Sequence, residues 1–172
     1  MQTMFDASTL ADRVAAMGRQ IRADFGDVPI VAVCVLKGSI LFTADLVRAI
    51  GGDVRIEFLG VSSYEGTEST GEVRITHDLR TSVDGTHVLI VEDIVDTGLT
   101  LSYLLKALQV RKPASLKVAA LLDKPSRRTA DVHADYVGFT IEDRFVVGYG
   151  LDLDERYRNL PYVAIYEPGI DP

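Results

Sequence analysis

Two runs in this chain, residues 28–36 and 88–91, carry almost nothing but aliphatic side chains, many of them β-branched. A strand built that way has no face for water, so it belongs inside a sheet covered on both sides, which means a largely parallel sheet flanked by helices. The neighbouring segments supply those helices. After Thr9, read as a cap with Asp12 three positions on, Leu10, Val14, Met17, Ile21 and Phe25 recur at helical spacing until Gly26. Beyond Lys37-Gly38-Ser39 the pattern returns at Ile40, Ala44, Val47 and Ile50 and stops at Gly51-Gly52; it returns again at Leu101, Leu104, Leu105 and Leu108, ahead of Pro113. Val54, Ile56 and Phe58 alternate with Arg55 and Glu57, which predicts a strand with one more polar face. Another strand is expected at residues 117–122, and shorter ones at 136–139, 145–149 and 162–166. Strands and helices alternating at this interval predict an α/β fold with a mainly parallel sheet, the short C-terminal pieces forming a small subdomain over it.

At 172 residues with 47% hydrophobic side chains, the chain can bury a core as one domain, residues 1–172, without disulfides or metals as staples. Its formal charge of −7 and lack of a basic run weigh against a nucleic-acid or anionic-membrane surface, though not against an anion in a local cleft. Cys34 is alone and lies in an apolar run, so an intrachain disulfide is excluded and a buried structural thiol is expected. Neither a secretory signal pattern at Met1-Gln2-Thr3-Met4-Phe5-Asp6 nor an apolar stretch of about 18 residues is present, and a cytoplasmic protein is expected. Residues 62–78 change to Ser, Thr, Gly and Glu and read as a mobile loop with at most a weak hairpin. Composition alone does not separate a lid from an ordinary surface loop there.

Ligands of open α/β sheets bind beyond the carboxyl ends of strands. The usual motifs for such sites are missing: there is no G-x-x-x-x-G-K-[ST], no complete dinucleotide fingerprint, no zinc spacing among His77, His87 and His133, and no G-x-S-x-G. Instead, the aliphatic run Val88-Leu89-Ile90-Val91 leads directly into Glu92-Asp93-Ile94-Val95-Asp96-Thr97-Gly98-Leu99-Thr100. Adjacent carboxylates at a strand's end suit a sugar diol or a hydrated Mg²⁺. Hydroxyls, a glycine and free backbone N–H groups at a helix start suit a phosphate. Together they describe a site for a ribose phosphate. Taken singly, Glu92 and Asp93 could be solvated strand-end charges and Asp96 a helix cap. Three carboxylates beside a fully apolar strand are costly unless a metal, hydroxyl or amide balances them.

The segment 88–100 resembles the PRPP (phosphoribosyl-diphosphate) motif of type I phosphoribosyltransferases. Leu121-Leu122-Asp123-Lys124-Pro125, Phe145-Val146-Val147-Gly148-Tyr149-Gly150-Leu151-Asp152 and Tyr157-Arg158-Asn159-Leu160-Pro161 resemble the purine-recognition region of the hypoxanthine-guanine members. Leu36-Lys37-Gly38 and Ser63-Tyr64 match that family too, so the likeness spans nearly the whole chain. It implies the type I fold, a mainly parallel twisted sheet flanked by helices under a small hood drawn largely from the C-terminal part, with or without the N-terminus. It also implies transfer of 5-phosphoribose from PRPP to N9 of a 6-oxopurine, with Mg²⁺ required and diphosphate and a nucleoside monophosphate as products.

By the same resemblance, Asp96 serves as acid/base at the purine N7 beside the attacking N9, a task that suits a carboxylate. Glu92 and Asp93 hold the ribose hydroxyls and Mg²⁺, and Asp152 binds a Mg²⁺ carried by diphosphate. Thr97, Gly98, Leu99 and Thr100 cradle the 5′-phosphate. Lys124 donates to the 6-oxo group, which selects hypoxanthine, guanine or xanthine over adenine; otherwise it is a surface lysine. Phe145 stacks on the base and Val146 offers backbone contacts; without the resemblance both read as core. Arg158 and the Lys37-Gly38 turn, in the family often through a cis peptide that is not proline, contact diphosphate. Ser63 and Tyr64 belong to a lid over residues 62–78 that excludes water. A homodimer or homotetramer is implied, with Lys37 and the helix from Ser39 near an interface. Two other readings stand beside this one: a PRPP- or nucleotide-sensing regulator on the same fold, and a phosphoribosyltransferase for xanthine or another base.

Overall fold

The computed structural model describes residues 1–63, 73–167 and 169. Its centre is a six-stranded sheet. In chain order the elements are β1 (Gln2–Phe5), α1 (Ala7–Phe25), β2 (Ile30–Leu36), α2 (Ile40–Ile50), β3 (Val54–Ser63), β4 (Val73–His77), β5 (His87–Val95) and α3 (Leu99–Gln109). After α3 come β6 (Ser115–Asp123), a 3-10 turn (Pro125–Arg127), β7 (Tyr136–Thr140), β8 (Val146–Val147) and β9 (Val163–Ile165). The large sheet has the order β4-β3-β2-β5-β6-β7, parallel throughout except for antiparallel β4. A second, antiparallel sheet, β1-β9-β8, joins the first strand of the chain to the last two. Among the described residues, no helix is long and apolar enough to cross a membrane.

Strand periodicity explains why the aliphatic runs are apolar on every position. Val31, Val33 and Val35 of β2 join Leu101, Leu104 and Leu108 of α3 in one core, while Ile30 and Ala32 face the other core with Leu10, Val14, Met17 and Ile21 of α1 and Phe42, Leu46 and Ile50 of α2. Arg22 ties α1 to α2 by donating to Ile50 O and Gly51 O, the carbonyls at the end of α2.

Three local expectations are corrected. Helix α1 is capped by Asp6, whose carboxylate accepts from Thr9 N at 2.8 Å, so Thr9 lies inside the helix. On β3 the faces are reversed: Ile56 (43% exposed) and Phe58 (41%) are open, whereas Glu57 is buried. Burial pushes the Glu57 carboxyl up, but the Thr81 hydroxyl and Arg80 N donate to it, and its pKa is lowered overall. The two ends of segment 62–78 are strand: Val61, Ser62 and Ser63 pair antiparallel with Ile75, Arg74 and Val73. Tyr64 lies outside the described residues.

Candidate active site

The carboxyl ends of β2, β3 and β5 enclose two adjoining cavities. One, of about 290 Å³, is lined by Glu92, Asp93, Asp96 and Thr97 together with the start of α3. The other, of about 630 Å³, opens between Lys37, His77, Asp152 and Arg158. Leu36, Gly38, Val61 and Asp93 form walls of both.

Strand β5 runs four residues beyond its aliphatic run, so Glu92 and Asp93 lie within the sheet rather than past its end. Glu92 is buried, and burial followed by the charge of Asp93 pushes its carboxyl well up. Asp93 is pushed up to about 6 by burial, against the opposing effects of the Ile94 N–H, which donates at 2.7 Å, and of Arg158. A Cβ on Gly38 would fall 1.7 Å from Asp93 Oδ2, so only glycine lets this carboxylate lie against the turn. The peptide between Leu36 and Lys37 is cis, one bond earlier than Lys37-Gly38.

Helix α3 is capped by Gly98, in the left-handed conformation (φ +84°), with no side-chain cap. Asp96 is therefore not the cap. Its carboxylate instead accepts from Arg127 Nε at 3.1 Å. Residues 97–100 occupy the loop and first turn, where helical N–H groups lack intrahelical acceptors. The loop is held from outside: Thr129 N and Ala130 N donate to Thr97 O at 2.9 and 3.1 Å. Arg128 donates to Asp96 O at 3.1 Å and to Val132 O at 2.6 Å while pairing with Asp123. Sequence reasoning missed Arg127 and Arg128, although two arginines straight after Lys124-Pro125-Ser126 were a signal.

Lys124 is buried rather than exposed, and its Nζ lies 3.6 Å from Asp143 Oδ1. Its N–H donates to Val95 O at 2.9 Å, which brings it beside the end of β5. Phe145 is half exposed and meets Tyr166 edge-on at 6.0 Å between ring centres, so it is not core. Val146 is buried in β8 opposite Ile165.

The hood loop closes the second cavity. Asp152 accepts from Arg158 Nη2 at 3.0 Å and from Glu155 N at 2.8 Å, and Glu155 pairs with Lys37 at 3.0 Å. Arg158 Nη2 also donates to Glu155 Oε1 at 3.3 Å, and Lys37 first and then Arg158 hold the Glu155 carboxyl below its ordinary range. Arg158 Nη1 donates to Gly150 O at 2.7 Å, whereas its buried Nε has no partner among the described residues. Asp93 and Asp152 both line the second cavity, but no cluster of three or more metal-binding side chains exists among the described residues.

A site with a helix-start cradle, adjacent carboxylates of which Glu92 is buried, and a buried lysine can hold a phosphorylated diol next to a carbonyl-bearing ring. Comparison with known proteins agrees. The family model of the phosphoribosyl transferase domain matches residues 2–154. The chain is 46% identical over 170 residues to the hypoxanthine-guanine phosphoribosyltransferase of Bacillus subtilis, covering 98% of this chain and 94% of that protein. It is 55% identical over 149 residues to the one from Staphylococcus epidermidis, covering 86% and 83%. The crystal structure of a hypoxanthine-guanine phosphoribosyltransferase from Bacillus anthracis superposes with a TM-score of 0.93 at 46% identity, covering 97% of this chain and 99% of that one.

Proposed function

The chain belongs to the phosphoribosyl transferase domain family, and on that premise we propose that it is a purine salvage enzyme, a pentosyltransferase that moves 5-phosphoribose from PRPP to N9 of hypoxanthine or guanine. The products are IMP or GMP and diphosphate. The observation that carries this reading is Lys124: it is buried, has among the described residues only one loose carboxylate partner, and stands beside the end of the strand that leads into the 97–100 cradle. An ammonium with unspent donors in a buried place fits a base that presents a carbonyl oxygen.

In this reading Thr97, Gly98, Leu99 and Thr100 orient the 5′-phosphate by N–H and hydroxyl donors. Glu92 and Asp93 accept from the ribose hydroxyls. Asp96 takes the N7 proton as N9 bonds to ribose C1 and the bond from C1 to diphosphate breaks. Phe145 stacks on the base and the Val146 backbone meets its edge. Lys37, Gly38 and Arg158 hold diphosphate, and the orphaned Arg158 Nε is a donor that this anion would satisfy.

Magnesium fits this donor set. Hard oxygens are available, and Glu92 and Asp93, whose carboxyls are pushed up first by burial and only then by neighbouring carboxylate charge, would ionise more readily beside a cation. Because the carboxylates do not form a three-ligand cage, Glu92 or Asp93 and Asp152 would hold the metal one or two at a time, with water and substrate oxygens completing it. When bound, Mg²⁺ neutralises charge on the departing diphosphate. Ile40 and Leu41 on α2 and Ile56 and Phe58 on β3 leave an exposed apolar strip on one side of the sheet, which we assign to a homodimer. The cytoplasm is the setting assigned to this activity. A nucleic-acid-binding regulator is not favoured, given the relatives and the charge of −7.

The test is diphosphate release from PRPP and Mg²⁺ with each of four bases. Hypoxanthine and guanine should turn over, and adenine should be poorer by a factor of about 100 or more. Adenine turned over as fast as hypoxanthine would contradict the role of Lys124.

A further inference from the structure

Lys124 and Asp96 are joined by two further side chains. Arg127 Nε donates to Asp96 Oδ1 at 3.1 Å, and Arg127 Nη1 lies 3.8 Å from Asp143 Oδ2. Lys124 Nζ lies 3.6 Å from the other oxygen of Asp143. The result is a row, Asp96, Arg127, Asp143, Lys124, alternating in sign and neutral in sum. One link is a hydrogen bond; the other two are longer than one and have room to tighten. Lys124 is 7% exposed, whereas the other three are about half open to solvent, where an ion pair is weak and is exchanged at little cost. Asp96, through its hydrogen bond and then its charge, and Asp143, by charge, both raise the Arg127 pKa. The guanidinium thus has two carboxylates to choose between.

We propose that Arg127 is a positioning residue that couples recognition of the base carbonyl to the release of Asp96. The proposal rests on the reading of Lys124 as carbonyl donor and Asp96 as proton acceptor. Without a base, Arg127 holds Asp96 Oδ1, one of the two carboxylate oxygens and, in this proposal, the one that N7 needs. A 6-oxo oxygen arriving at Lys124 Nζ draws the ammonium away from Asp143. Asp143 then accepts the guanidinium in full, Arg127 leaves Asp96, and the carboxylate is free for N7. A base with an amino group at that position offers Lys124 no acceptor, so the row does not shift and Asp96 stays covered. Selectivity then acts at the proton acceptor as well as at the donor.

The experiment measures steady-state kinetics of the full chain and of Asp143→Ala, Arg127→Ala and the double variant, varying hypoxanthine and PRPP in turn. Without Asp143 the guanidinium has only Asp96, so Asp143→Ala should lose about tenfold or more in kcat/KM for hypoxanthine, with the PRPP KM within about twofold. Removing Arg127 as well uncovers Asp96, so the double variant should exceed Asp143→Ala by about threefold or more, a sign reversal that additive structural damage does not produce. Wild-type efficiency in Asp143→Ala, or a double variant no better than Asp143→Ala, overturns the proposal. Absence of hypoxanthine-dependent diphosphate release by the unmodified enzyme would instead overturn the underlying reading of the site.

Discussion

Glu92 and Asp93 are neighbours on β5, and burial raises both carboxyl pKa values, Asp93 to about 6. An acid whose folded pKa is raised keeps a proton that the unfolded chain would release. Stability of the metal-free protein therefore falls as pH rises from the unfolded value of about 3.9 through about 6, and stays lower above that. Asp93→Asn removes the charge while keeping an acceptor for Ile94 N. At pH 7.5 it should raise the melting temperature of the metal-free protein by about 2–8 °C and abolish most transfer activity. The gain should vanish at pH 4; a variant that melts lower at both pH values would show that the carboxylate stabilises the site. These two residues were legible in the sequence because the whole strand-to-cradle stretch, 88–100, is contiguous. Arg127 and Asp143 were not: Arg127 meets Asp96 only after β6 is laid beside β5, and Asp143 meets Lys124 only after β7 is laid beside β6, whereas Arg128 pairs with Asp123 only five residues away.

At the scale of elements, the hood loop rests on the turn after β2. A Cβ at Gly150 (φ +103°) would stand 2.0 Å from Gly38 O, against the turn that also borders Asp93. Gly150→Ala should lift this loop, costing about 1–3 kcal/mol of stability and raising the PRPP KM by about tenfold, while the hypoxanthine KM changes less. Thermal melts and the two KM values check it, and an unchanged PRPP KM would contradict the coupling. Among the described residues, periodicity located the three α-helices and the central strands, since those patterns answer to burial on a known face. It failed on β3, where alternation showed two faces but not which one the rest of the molecule covers; the bonds from Thr81 and Arg80 that let Glu57 turn inward come from 24 and 23 residues away. It also misjudged the start of α1, because Asp6 and Thr9 are both good caps and only the backbone chooses between them.

For the molecule as a whole, the charge of −7 weighs against a polyanionic partner surface, yet the proposed substrate is itself a polyanion. Local geometry resolves this: Lys37, Arg158 and the start of α3 border the cavities, while part of the acidity sits at Glu92, Asp93, Asp96 and Asp152. The apolar strip makes a separate prediction. Phe58→Glu with Ile56→Glu should convert a dimer into single copies in sedimentation experiments, and an unmodified protein that sediments as one copy would refute the assignment. The small sheet has a different implication. Because β8 pairs with β9 and β9 with β1, the wall that carries Phe145 and Val146 cannot assemble until β9 has left the ribosome. The phosphate cradle at 97–100 is translated well before that wall closes, so during synthesis the site is built from the sugar-phosphate end towards the base.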